Sequence, residues 1–176
     1  MKKIGLIVGS TRSSRAGLKI AHWVMDNFHS DILEVELIDL KELNLPQMNE
    51  KYIPAFNMYE LDETKKWSEY IKSLDGVIFL FPQYNWGYPA PLKNAIDYLY
   101  SEWKNKPAAT IVYGMHNAYQ AELAFSLVMK GLEMDILNSR LAMSYDIKSP
   151  LDPAETFSDK VVYIENIVKE FEQKLK

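Results

Sequence analysis

The chain has 176 residues, of which 48% are apolar and 25% charged, ordinary values for a globular protein and best matched by a single domain spanning 1–176. Twenty basic and 24 acidic side chains give a net charge of −4, and the basic residues come singly or in pairs, which argues against a nucleic-acid surface. There is no cysteine, so disulfides, thiolate metal sites and thiol nucleophiles are excluded; no apolar run reaches the length of a membrane span, and a soluble, cytoplasmic protein is expected.

Ile4 to Val8 is a near-continuous apolar run with β-branched residues, the pattern of a strand buried on both faces. The apolar segment is too short for a secretory signal and ends in Ser10-Thr11-Arg12. After a loop over Gly9–Gly17, the spacing of Ile20, Ala21, Val24, Met25 and Phe28 predicts a helix from Ala16 to about His29. Leu33 to Leu40 reads as a second strand and Asp39 to Pro46 as a surface loop, with 47–59 irregular. A polar helix follows from Asp62 to about Ser73, with Trp67, Tyr70, Ile71 and Leu74 on one face. Val77 to Phe81 is the third strand, and Pro89 to Trp103 a helix with Leu92, Ala95, Ile96 and Leu99 as its apolar stripe. Pro107 opens a fourth strand, Ala108–Tyr113. The helix Ala118–Gly131 carries Leu123, Leu127 and Val128 as its apolar positions and Gly131 as C-cap. Met134–Leu137 and Leu141–Ser144 read as parts of a fifth strand broken at Asn138–Arg140, and Ala154–Lys174 is the last helix.

Strand alternates with helix five times, which predicts an α/β protein with helices on both faces of a parallel sheet, a three-layer α/β/α arrangement. A five-stranded sheet of this size fits the flavodoxin-like order 2-1-3-4-5. Ligands of such sheets bind at the carboxyl ends of the strands where the chain reverses direction, here beside strands one and three. The loops after those strands, Gly9–Gly17 and Pro82–Pro91, are therefore expected to meet.

The first of these loops, Gly9-Ser10-Thr11-Arg12-Ser13-Ser14-Arg15-Ala16-Gly17, places four hydroxyls and two guanidinium groups around a helix start. Unpaired backbone N–H groups there carry partial positive charge, so the loop has donors in surplus for a phosphate monoester. The same letters are equally served by a helix capped by Ser13 or Ser14 with exposed arginines. No G-x-x-x-x-G-K-S/T and no G-x-G-x-x-G follows the first strand, which removes P-loop and dinucleotide-fold readings and leaves Asp39 as a polar residue at a strand end.

The second loop, Pro82-Gln83-Tyr84-Asn85-Trp86-Gly87-Tyr88-Pro89, sets three large aromatics and two amides between prolines. A planar heteroaromatic ligand needs an apolar face to rest on and edge donors to orient it; the prolines lower the cost of ordering that wall. Each aromatic is also compatible with a place in the core.

Together, Gly9-Ser10-Thr11-Arg12 after the first strand and Pro82-Gln83-Tyr84-Asn85-Trp86-Gly87-Tyr88-Pro89-Ala90-Pro91-Leu92-Lys93-Asn94-Ala95-Ile96-Asp97 after the third resemble the NADPH-dependent FMN reductases, flavodoxin-like quinone and azo-dye reductases. Asp39-Leu40 to Leu45-Pro46 resembles that family's loop after the second strand. The resemblance implies FMN, its phosphate at Ser10, Arg12, Ser14, Arg15 and Ala16 and its ring edge along Pro82, Gln83, Tyr84, Asn85 and Trp86, with Tyr113, Gly114 and His116 as a third contact. It implies NADPH or NADH as hydride donor, a quinone, azo or flavin acceptor, no catalytic side chain, no metal, and a homodimer or dimer of dimers using helices around Leu92–Trp103. One departure stands out: the family's glycine-rich turn after the fourth strand here reads Tyr113-Gly114-Met115-His116-Asn117, which implies a reshaped flavin edge. The competing expectations are a flavodoxin-type electron carrier or flavin-binding sensor without NAD(P)H turnover, and a NAD(P)-binding regulator without flavin.

Overall fold

A computed structural model describes residues 1–176. Strands β1 (Lys2–Val8), β2 (Leu33–Asp39), β3 (Gly76–Pro82) and β4 (Pro107–Tyr113) lie in parallel in the order β2-β1-β3-β4, with β5 (Asp135–Ile136) beyond. β5 and β6 (Leu141–Met143) pair with successive stretches of β4 and share the fifth position of the sheet. The expected break between them is present and has a cause. The Glu170 carboxylate accepts from the backbone N–H of Asn138 (2.8 Å) and Ser139 (2.7 Å), taking those donors out of the ladder.

β3 and β4 are buried along their whole length, as central strands covered on both faces must be. One face is packed by α1 (Gly17–Asp26) and α7 (Val161–Leu175), the other by α3 (Asp62–Ser73), α4 (Ala90–Asp97) and α5 (Tyr119–Gly131). This is the expected three-layer arrangement with the flavodoxin-like strand order.

Five local expectations are corrected. Asp39–Pro46 is not all loop: Asp39 accepts from Lys41 N–H at 2.9 Å and caps one helical turn, α2 (Leu40–Leu43). The helix from Pro89 stops at Asp97 rather than running to Trp103. Its last-turn carbonyls are taken by indole N–H donors, Ala95 by Trp67 (2.8 Å) and Ile96 by Trp103 (3.1 Å), so both find partners without further helix. In α5 the buried face is Ala121, Glu122, Phe125 and Met129, whereas Leu123 and Leu127 face outward. The left-handed residue after that helix is Glu133, not Gly131. Finally, the C-terminal helix is interrupted at Phe157, which fills the core between α6 (Pro153–Thr156) and α7.

Candidate functional site

The loops that leave β1, β3, β4 and β6 at their C-terminal ends surround a cleft of about 250 Å³. Arg12, Ser14, Arg15 and Ala16 border it from the first loop; Pro82, Gln83 and Tyr84 from the second; Tyr113, Gly114 and Met115 from the third; Tyr145 and Ile147 from the fourth.

In the first loop the chain leaves the sheet through Gly9 N–H to Leu80 C=O (2.9 Å) and turns at Arg12–Arg15 before α1 begins. The residue at the cap position is Ala16, and no side chain bonds the helix N–H groups, so neither Ser13 nor Ser14 serves as the cap. The donors at this helix start remain open to a ligand. The two arginines divide their work. Arg12 is exposed at the mouth, its guanidinium carbon 5.9 Å from the centroid of the Tyr84 ring. Arg15 is turned inward, pairing through Nη2 with Asp39 and donating through Nη1 to the Ser10 carbonyl at 3.1 Å. Ser10 is fully buried, its hydroxyl 2.7 Å from that of Tyr84.

The second loop is pinned to β4 by Gln83 N–H to Tyr113 C=O (3.0 Å), and the Gln83 side-chain oxygen accepts from Ala121 N–H (3.1 Å) at the start of α5. Reciprocal 2.9 Å bonds between Tyr84 and Gly87 close a tight turn whose central residues, Asn85 (φ 46°) and Trp86 (φ 69°), are both left-handed. Trp86 thereby stands 70% exposed, away from the core.

In the third loop Gly114 has φ +147°, and a Cβ there would lie 3.3 Å from Gln83 Cβ, so the backbone wall is close and free of side chain at this point. His116, Asn117 and Ala118 follow with φ of 53°, 55° and 54°, three left-handed residues in a row without a glycine. Each such residue costs about 1–2 kcal/mol, and the turn is held by Ser144, whose Oγ accepts from Asn117 N–H (3.1 Å) and donates to Asn117 Oδ1 (2.6 Å). The backbone thus follows a glycine-like path that this sequence does not spell with glycines. Burial pushes the Tyr113 hydroxyl pKa upward, reinforced by Tyr84 and Tyr145, and burial raises that of Tyr145 as well. Both are neutral hydrogen-bond donors at physiological pH.

The donor set suits a flavin mononucleotide. The uncapped helix start, Ser14 and Arg12 offer charge-assisted contacts to a phosphate, and the bare backbone at Gly114 faces Pro82–Tyr84 across a slot suited to a ring edge. No cluster of three or more His, Asp or Glu side chains is placed to hold a metal ion. A larger hollow of about 320 Å³ lies between α2 and α4, lined by Leu40, Leu45, Gln47, Pro91 and Asn94 among others. It has no charged wall, and the Asn94 amide is spent on Met48 N–H and the Pro46 carbonyl, so we place the chemistry in the smaller cleft.

Of the residues singled out from sequence, Arg12, Ser14, Arg15, Ala16, Pro82, Gln83, Tyr84, Tyr113 and Gly114 meet at this cleft. Ser10 lies behind it, while Asn85, Trp86 and His116 are outside its lining and exposed or nearly so. Met115, expected from sequence to reshape the flavin edge, does line the cleft, and two lining residues lie outside the sequence expectations, Tyr145 and Ile147. The signal for the last two was available: they follow the last strand, and every loop at that edge of a parallel sheet converges on the same crevice.

A model of the NADPH-dependent FMN reductase family matches residues 2–147. The chain is 38% identical over 147 residues to an NAD(P)H-dependent FMN reductase of Saccharomyces cerevisiae, covering 77% of each chain. It is 33% identical over 178 residues to one of Schizosaccharomyces pombe, covering 97% of this chain and 89% of that one. Among solved structures, the flavoenzyme NAD(P)H:(acceptor) oxidoreductase FerB of Paracoccus denitrificans superposes with a TM-score of 0.76 over 98% of each chain at 21% identity, a likeness of fold. The chain belongs to the NADPH-dependent FMN reductase family.

Proposed function

We propose that this member of the NADPH-dependent FMN reductase family, an FMN-dependent NAD(P)H oxidoreductase, uses the cleft bordered by Arg12, Gln83 and Gly114 as its flavin site and reduces a quinone-like acceptor there. The observation that carries the assignment is the uncapped start of α1, facing the same opening as Arg12 and the glycine wall at Gly114. Quinone reductases among the chain's relatives support the acceptor class.

FMN, when bound, supplies hydride acceptance from NAD(P)H and its redelivery to the acceptor. The chain's own part is to hold and orient. Arg12, Ser14 and the α1 N–H groups anchor the phosphate. Backbone from Pro82 to Tyr84 and at Gly114 supports the ring edge, and Tyr113 and Tyr145 keep their protons and act as neutral donors. No side chain is asked to act as nucleophile or to carry a proton between substrates.

The chain works as a single cytoplasmic domain and associates as a homodimer, in this reading. The helix after β3 turns Leu92, Ala95 and Ile96 to the core, and one further surface favours association. It is the outer side of α5, where Tyr119, Leu123 and Leu127 recur every fourth residue beyond Met115, all exposed.

The test is direct: titrate the purified protein with FMN, then add NADPH without and with a benzoquinone under anaerobic conditions. Flavin binding, bleaching of the flavin's visible absorbance by NADPH and recovery on adding quinone are expected. A protein that binds no FMN, or whose FMN NADPH leaves oxidised, overturns the reading.

A further inference from the structure

We propose that Asp39 is a positioning residue for the phosphate loop, acting through Arg15; the proposal rests on the flavin site described above. Asp39 ends β2, outside the cleft lining, and its Oδ1 caps α2 at Lys41 N–H, which leaves Oδ2 for a second task. In the folded chain it is the first member of a hydrogen-bonded line that crosses the C-terminal edge of the sheet. Its Oδ2 pairs with Arg15 Nη2, Arg15 Nη1 donates to the Ser10 carbonyl at 3.1 Å, and the Ser10 hydroxyl lies 2.7 Å from that of Tyr84. The line joins the ends of β2, β1 and β3, the three strands whose following segments must keep a fixed spacing for a phosphate and a ring to be gripped together.

Burial decides the role of Arg15. Its side chain is 6% exposed and that of Asp39 10%, whereas Arg12 is exposed. An arginine so enclosed, with two of its nitrogens committed, braces the loop from behind rather than reaching for a ligand at the mouth. A buried guanidinium needs its carboxylate, because an unpaired charge there is costly; without Asp39, Arg15 must leave its place and release Ser10. Arg12 is then the cation that meets the phosphate, and Asp39 with Arg15 determines where the loop that carries it sits.

Asp39→Asn is the informative variant. Asparagine caps helices about as well as aspartate, so α2 keeps its cap at Lys41 N–H while the charge pair is lost. FMN and riboflavin are titrated in parallel, since riboflavin lacks only the phosphate. The expected result is a loss of FMN affinity of about 10- to 100-fold, the worth of one charge-assisted hydrogen bond, with riboflavin affinity unchanged. A general loosening of the fold would weaken both ligands alike. Arg15→Lys, which keeps the charge but not the two-pronged reach, is expected to lower the same FMN-to-riboflavin ratio, and the double variant to add little to either single one. An unchanged ratio in Asp39→Asn overturns the proposal, as does tighter FMN binding, which would mean that Asp39 competes with the phosphate for Arg15. If the unaltered protein does not prefer FMN to riboflavin, the phosphate assignment itself fails, a result distinct from either.

Discussion

Gly17, in the first turn of α1, and Tyr113, at the end of β4, meet so closely that a Cβ on Gly17 would stand 2.7 Å from the Tyr113 hydroxyl and 3.3 Å from Val8 Cγ1. The start of the phosphate-side helix is thus seated directly on a strand-end tyrosine of the opposite cleft wall. Gly17→Ala forces that buried phenol aside and is expected to destabilise the fold by roughly 1–3 kcal/mol. Tyr113→Phe removes the clashing atom, and the next ring atom, Cζ at 3.6 Å, is at ordinary contact distance. Urea denaturation of the single and double variants checks this: the double variant should regain most of what Gly17→Ala loses. If it is no more stable than Gly17→Ala, the clash is not the cause.

Arg12→Ala should weaken FMN by about 1.5–3 kcal/mol, the range for a hydrogen bond to a charged group, and leave riboflavin binding as it was. Arg12 is exposed and makes no ion pair, so the melting temperature of the ligand-free protein should stay within a degree or two (roughly) of the parent. Equal weakening of both ligands would place the phosphate elsewhere.

Glu102 is an acid-sensitive point of the fold. Its side chain is fully enclosed, accepting from Ser68 (2.5 Å) and Tyr59 (3.0 Å) with Lys72 Nζ at 3.3 Å. Burial by itself would raise its pKa, but those hydrogen bonds and the lysine charge outweigh it and hold the carboxyl below its ordinary value. A pKa lowered in the folded state contributes stability above the unfolded value, near 4.3, and that contribution is lost as pH falls through the folded one. Glu102→Gln should therefore be less stable than the parent at pH 7, by about 1–3 kcal/mol, and the gap should close on acidification below pH of about 4. A gap that persists at low pH would show that the charge is not what matters there.

Leu127 is 67% exposed on the outer side of α5, on the surface proposed for self-association. Leu127→Lys removes no internal contact of consequence, so the protomer should remain folded while sedimentation velocity shows a shift from dimer to monomer. A parent protein that is already monomeric, or a variant that still dimerises, rules out this face.

The element types were legible because their periodicities are strong. Lys65, Lys66 and Glu69 alternate with Trp67, Tyr70 and Ile71 in a pattern only a half-buried helix satisfies, and α3 spans Asp62–Ser73 as expected. The runs at Ile4–Val8, Val77–Phe81 and Ala108–Tyr113 are apolar on both faces, the mark of central parallel strands. The helix after β3 is shorter than its pattern predicts because Leu99 and Trp103 keep an apolar spacing although the backbone has left the helix; burial is common to helix and turn alike.

By itself, the sequence determined the layer architecture, the strand order and the pairing of the Gly9–Gly17 loop with the Pro82–Pro91 loop. The layers follow from local periodicity and the handedness of crossover connections, and the strand order and loop pairing from the flavodoxin-like fold that five alternating strands fit. Only the tertiary structure decided what the individual polar groups do. It turned Arg15 inward to Asp39 while leaving Arg12 at the mouth, buried Ser10 against Tyr84, sent Trp86 outward and brought Tyr145 to the cleft. The reason is physical: a side chain's task depends on which buried partner must be satisfied across the fold, and Asp39 lies 24 residues from Arg15, Tyr84 74 from Ser10. No local pattern in the chain records those distances.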